Sequence, residues 1–67
     1  MTTTEQRTAA AQIRYTENKL KTNGYDPAQF DTKGLALAAT LWDDEEQEPV
    51  ALPLFWTLAL EEDEFRA

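Results

Sequence analysis

Carboxylates are the side chains of this protein that could do chemistry, and they come in groups. Asp43, Asp44, Glu45, Glu46 and Glu48 form one cluster. Glu61, Glu62, Asp63 and Glu64 form another, so nine of the 13 acidic residues sit in two short stretches. Grouped carboxylates have three common uses: ligating a hard cation, acting as an acid–base pair, or meeting a cationic partner. For the first use, Asp43, Glu45 and Gln47 follow the oxygen-ligand alternation of a calcium loop. Glu48 then stands where that loop needs glycine, and Leu54 stands at the twelfth position, where a bidentate glutamate belongs. No calcium site is expected. Zinc, haem and iron–sulfur sites lack their usual ligands, since Cys and His are both absent.

The same absence removes the common general base and the thiolate nucleophile. Gly24 and Gly34 are the only glycines, so no glycine-rich loop can cradle a phosphate. A carboxylate pair can still do acid–base work, but only in a cleft that tunes its two members apart. A chain of 67 residues forms such a cleft poorly. The expectation is a protein that is not an enzyme and that carries no cofactor and no metal.

Recognition of a cationic partner remains. Residues 1–33 carry five basic and four acidic side chains, a balance of +1; residues 34–67 carry Arg66 and nine acids, a balance of −8, which gives the net −7. Such a surface repels DNA, RNA and anionic membrane, and it attracts the basic surfaces of other proteins. On a helix, Glu61 and Glu64 would lie roughly 5–6 Å apart. Phosphates along one DNA strand have a comparable spacing, so a carboxylate array of this kind can imitate a nucleic-acid backbone. Between the clusters runs an apolar stretch, Val50 to Leu60, interrupted by Pro53 and Thr57. Trp42, Phe55 and Trp56 are natural core residues. Trp42, Trp56 or Leu60 would alternatively serve as an apolar anchor inside an anionic rim, the usual layout of a binding hot spot.

The elements that must hold these groups read as follows. A first helix is expected from Thr4 to Thr22. Thr2, Thr3 or Thr4 can cap it, Thr2 with Glu5 or Thr3 with Gln6 has capping-box spacing, and Asn23-Gly24 stops it. Its expected inner stripe is Ala9, Ile13, Thr16 and Leu20, with Ala10 alongside. Asp26-Pro27 opens a helical turn flanked by Tyr25 and Phe30, an aromatic clamp. Asp31 caps a second helix over Leu35–Trp42. Leu35, Ala38 and Trp42 form one stripe of it and Leu37 with Leu41 another, the Leu and Ala content favouring helix over the competing strand alternation. A third helix is expected from about Pro53 to Phe65, with Leu54, Phe55, Leu58 and Ala59 on one face and Trp56 and Leu60 on a second. Both acidic clusters would then close helices at their C-terminal ends, where the macrodipole disfavours carboxylates. The fold class is therefore all-α, a small three-helix domain. The alternative is α+β, one helix packed on a β-hairpin made from residues 35–42 and 50–60.

Length allows one domain, residues 1–67, which buries only about 60% of the surface of its unfolded chain. The N-terminus Met1-Thr2-Thr3-Thr4-Glu5-Gln6-Arg7 has no apolar core, so no signal peptide is expected. The apolar stretch 50–60 is far short of the about 20 residues that span a bilayer. These features suggest a cytoplasmic, soluble protein. No motif identifies a family. In size, charge and lack of catalytic residues, the chain resembles the small acidic inhibitor proteins of phages and mobile elements. These include anti-restriction and anti-CRISPR proteins and the DNA mimics that block uracil-DNA glycosylase. That resemblance implies a non-enzymatic inhibitor docked on a larger protein with a basic, nucleic-acid-binding surface. It implies no direct contact with nucleic acid or membrane, and no residue role is carried over from it. The alternative is a small structural subunit or homodimer that buries its third apolar segment in an assembly.

Overall fold

A computed structural model describes residues 4–67 of the chain, with side chains from Arg7 onward. Three helices and one antiparallel hairpin follow one another: α1 (Thr4–Thr22), α2 (Thr32–Ala39), β1 (Thr40–Asp43), β2 (Glu48–Ala51) and α3 (Phe55–Glu61). Single 3-10 turns at Pro27–Gln29 and Asp63–Phe65 precede α2 and follow α3. The fold is thus α+β rather than all-α. It keeps three helices, and it also has the hairpin that the alternative foresaw, in a shorter form. None of the described helices is long and apolar enough to cross a membrane.

α1 has the expected bounds, and its proposed caps at Thr2 to Thr4 lie outside the side chains described. Its C-terminus closes as a Schellman motif. Tyr25 N–H donates to the Leu20 carbonyl at 2.9 Å and Gly24 N–H to the Lys21 carbonyl at 3.0 Å. Gly24 sits at φ +87°, a left-handed conformation that costs glycine little. The buried stripe differs from the expected one. Gln12, Thr16 and Leu20 are inside, Ala9 and Ile13 are half-buried, and Ala10 is exposed.

Gln12 explains the shift. Its Nε2 donates to the Thr40 carbonyl (3.3 Å) and to Thr40 Oγ1 (3.1 Å). Thr40 Oγ1 in turn donates to the Ala36 carbonyl (2.6 Å), and Thr16 Oγ1 donates to the Gln12 carbonyl (2.9 Å). Among the described residues, no buried side-chain polar atom lacks a partner. A buried amide is tolerated only when bonded in this way, because leaving it unpaired costs about 1–3 kcal/mol.

The same contact ends α2 at Ala39. The expected helix continued to Trp42, but Thr40 is β-branched and takes extended angles (φ −133°, ψ 157°). From there it satisfies both α2, through its N–H and hydroxyl on Ala36, and α1, through Gln12. A bond across 28 residues thereby overrides the local preference of Leu and Ala for helix. Within α2 the buried residues are Leu35, Ala36 and Ala39; Leu37 and Ala38 face out. Asp31 caps this helix as expected, accepting from Gly34 N–H at 3.2 Å.

The hairpin pairs Thr40 with Ala51, Leu41 with Val50, Trp42 with Pro49 and Asp43 with Glu48. Leu52 N–H donates to the Ala39 carbonyl in the same register. The hydrogen-bonded pairs are therefore Leu41–Val50 and Asp43–Glu48, since the two kinds of pair alternate. Pro49 falls at a position whose missing N–H would have pointed away from β1, so it costs no ladder bond.

α3 is shorter than expected. Pro53 and Leu54 form the turn before it, Phe55 N–H closing on the Leu52 carbonyl at 3.0 Å, and it ends at Glu61. Glu62 is extended (ψ 121°), so Glu64 lies in the following 3-10 turn and the helical spacing expected between Glu61 and Glu64 does not occur. The core gathers Leu20, Phe30, Leu35, Ala39, Phe55, Ala59 and Phe65, with Ala51, Trp56 and Leu58 against it. Trp56 meets Phe55 edge-on (5.0 Å between centroids) and Tyr25 at a tilt (5.6 Å). Lys19 Nζ lies within 6 Å of the Tyr15, Phe55 and Trp56 rings, near enough for cation–π attraction.

Candidate functional site

The first acidic cluster is the hairpin turn, not a helix end. Residues 44–47 join β1 to β2, and Gln47 closes the turn at φ +57°. Asp43 builds the turn: its Oδ1 accepts from Glu45 N–H (3.0 Å) and Glu46 N–H (3.3 Å). Asp residues favour turns because the carboxylate can take the place of a backbone acceptor in this way. With Asp43 bonded inward and half-buried, Asp44, Glu45, Glu46 and Glu48 are held out in solvent. The macrodipole penalty expected for this cluster does not arise, because no helix ends there.

The second cluster does end a helix. Glu61 is the last residue of α3, Glu62 is its C-cap, and Asp63 and Glu64 open the 3-10 turn. This segment is not the frayed tail that its charge suggests. Phe65 is buried between acidic and basic neighbours. Asp31 N–H donates to the Phe65 carbonyl (2.7 Å), Ala67 N–H donates to the Gln29 carbonyl (3.0 Å), and Phe30 and Arg66 pair as an antiparallel bridge. Arg66 Nη2 donates to the Leu60 carbonyl at 3.0 Å, placing a cation where α3 ends, and its Nε lies 3.9 Å from Asp63.

The two clusters therefore sit at opposite ends of α1. The hairpin turn lies beside Arg7 and Thr8, near the start of that helix. The second cluster is tied to Phe30 and Asp31, just past its end. Of the proposed anchors, Trp42 is half-buried on the face of the hairpin turned to α1. There it shares an open pocket of about 420 Å³ with Arg7, Thr8, Asp44 and Gln47. Trp56 packs into the aromatic group at the other end, and Leu60 is partly exposed beside the second cluster.

Two apolar side chains of the hairpin lie outside. Leu41 is 56% exposed and Val50 39%. The register puts them on one face, since odd positions of β1 and even positions of β2 lie together. Among the described residues, no three acidic side chains converge as a metal ion would require. No family model, no curated protein and no solved structure matches this chain.

Proposed function

We propose that this protein is a non-enzymatic, acidic protein-binding module. It acts as an inhibitor of the phage or mobile-element type, anti-CRISPR or anti-restriction in kind. It docks on the basic, nucleic-acid-binding surface of a larger protein and imitates the charge of DNA. The observation that carries this reading is the exposure of the cluster carboxylates. Eight of the nine are open to solvent, and Arg66 pairs with Asp63 only across 3.9 Å. A surface so charged raises encounter rates with cationic partners and repels nucleic acid itself.

The test is capture of partners from a lysate at low salt, followed by affinity measurements from about 50 to 500 mM salt, over which the Debye length falls severalfold. Affinity should drop steeply across that range. It should also drop for the pair Glu45→Lys and Glu46→Lys, or for Glu61→Lys and Glu64→Lys. A partner whose affinity ignores both salt and charge reversal sinks the electrostatic reading. A second reading, a structural subunit or homodimer, draws support from Leu54, just before α3, and Leu60, on it, both of which are exposed. Light scattering that shows a dimer intact at high salt, with no affinity for basic proteins, would favour it.

A further inference from the structure

We propose that the outward face of the hairpin is a docking surface for a basic, amphipathic segment of a partner protein. Leu41 and Val50 form its apolar anchor, and Glu48 with the turn residues Glu45 and Glu46 forms its rim. This rests on the acidic-docking reading above and says where on the molecule it happens.

The hairpin has two unlike faces. Thr40, Ala51, Trp42 and Pro49 alternate toward α1 and are buried or half-buried. Leu41 and Val50 oppose each other on the other face, in a hydrogen-bonded pair, and both are exposed. A single exposed leucine needs no explanation. Two aliphatic side chains directly opposite each other present one continuous apolar spot on the outward face of a two-stranded ribbon. The next rung on the same face is Asp43 with Glu48, and Asp44, Glu45 and Glu46 follow in the turn. No Lys or Arg occurs between Lys33 and Arg66, and Arg7 of α1 meets the turn beside Trp42 and Asp44, on the face turned to α1.

Charge complementarity selects the occupant. A second copy packed two-fold on this face would bring the rim carboxylates of both chains into one interface. Nucleic acid and anionic membrane meet the same repulsion. A segment that sets an aliphatic side chain between Lys or Arg residues satisfies both parts at once, a dry centre and a charged rim. Contact is face-on rather than by strand addition. Pro49 offers no donor at the β2 edge, and the Thr40 carbonyl on the β1 side is taken by Gln12.

The test uses two synthetic peptides at about 50 mM salt, where surface charges are weakly screened. One is amphipathic, Leu on one side and Lys on the other; its control has Ser in place of each Leu. Isothermal titration and amide shift mapping are run on the intact chain and on two double variants. Leu41→Thr with Val50→Thr keeps strand-forming residues while removing apolar surface, and Glu45→Lys with Glu46→Lys reverses the rim. The Leu–Lys peptide is expected to bind more tightly than the Ser–Lys control and to shift amides of residues 40–50. The Leu41→Thr, Val50→Thr variant should lower that affinity about tenfold and leave the control peptide unaffected. If that variant changes neither peptide while the charge reversal weakens both, the anchor is overturned and acidic docking stands. Shifts confined to residues 54–64 on the unmodified chain overturn the anchor without any substitution. Failure of both peptides to bind at low salt overturns acidic docking, and the anchor with it.

Discussion

The two acidic clusters look alike in sequence and are built differently. The hairpin cluster spends one carboxylate, Asp43, on its own turn and holds the others out from a frame stitched to α1 by Gln12 and Thr40. The C-terminal cluster is part of the way the chain closes. Phe65 fills the core beneath it, Asp31 and Gln29 bind its backbone, and Arg66 caps the helix it terminates. The lesson is that a charge run says little about its own role. The residues beside it decide whether it is presented or merely tolerated. By that measure the hairpin cluster is the better candidate for contact with a partner, and the C-terminal cluster the better candidate for structure.

The sharpest way to break this contrast is to remove the aromatic under the C-terminal cluster. Phe65 is 8% exposed and belongs to the core. Phe65→Ala should cost about 3 kcal/mol. A chain of this length carries roughly 3–10 kcal/mol in total, so the variant should be close to unfolding at room temperature. Thermal denaturation followed by circular dichroism measures this. Glu45→Gln with Glu46→Gln, on the hairpin, should leave the midpoint unchanged. Equal losses at the two ends would mean that the C-terminal segment is no more integral than the turn.

A smaller effect tests whether Asp43 acts by charge or by shape. Asp43→Ala removes the acceptor for two turn amides and should cost about 1 kcal/mol, as loss of a comparable capping acceptor does. It should also speed hydrogen exchange at Glu45 and Glu46. Asp43→Asn keeps an oxygen in place and should restore most of both. If Asn behaves like Ala, the negative charge itself holds the turn, and the charge of the hairpin cluster is then part of its stability.

Much of the local structure was legible beforehand. Asn23-Gly24 ended α1 and Asp26-Pro27 opened a turn as their backbone preferences require, and Asp31 capped α2. What misled was the stretch from Thr40. Leu and Ala content argued for helix, and the deciding contact came from Gln12, a residue 28 positions away with no local signal. The strand alternation is visible too, but the hairpin turns Thr40 inward and leaves Leu41 and Val50 outside, so apolar alternation alone does not say which face is buried. The end of α3 was misplaced for a similar reason. Glu62 leaves the helix so that Phe65 can reach the core and the backbone can pair with Phe30 and Asp31, a non-local gain that composition cannot show. The charge of the surface is plain in the sequence. Its arrangement, with Leu41 and Val50 outside and Trp42 turned toward α1, needed the register.

The smallest effect concerns how the C-terminal cluster is tolerated at all. Carboxylates at the end of a helix oppose its dipole, and Arg66 offers two remedies, a bond to the Leu60 carbonyl and an ion pair with Asp63. The pair is long at 3.9 Å and lies in solvent, where such contacts contribute little. The cap places a cation on the orphan carbonyl itself. Arg66→Met should therefore lower stability by about 0.5 kcal/mol, or roughly 2–4 °C in a domain of this size. Asp63→Asn should leave the midpoint where it is. If Asp63→Asn costs as much as Arg66→Met, the ion pair is the remedy, and that loss should fade at high salt. If only Arg66→Met registers, the cluster survives because the tail delivers a cation to the helix terminus. The hairpin turn has no such need, since no helix ends beneath its charges.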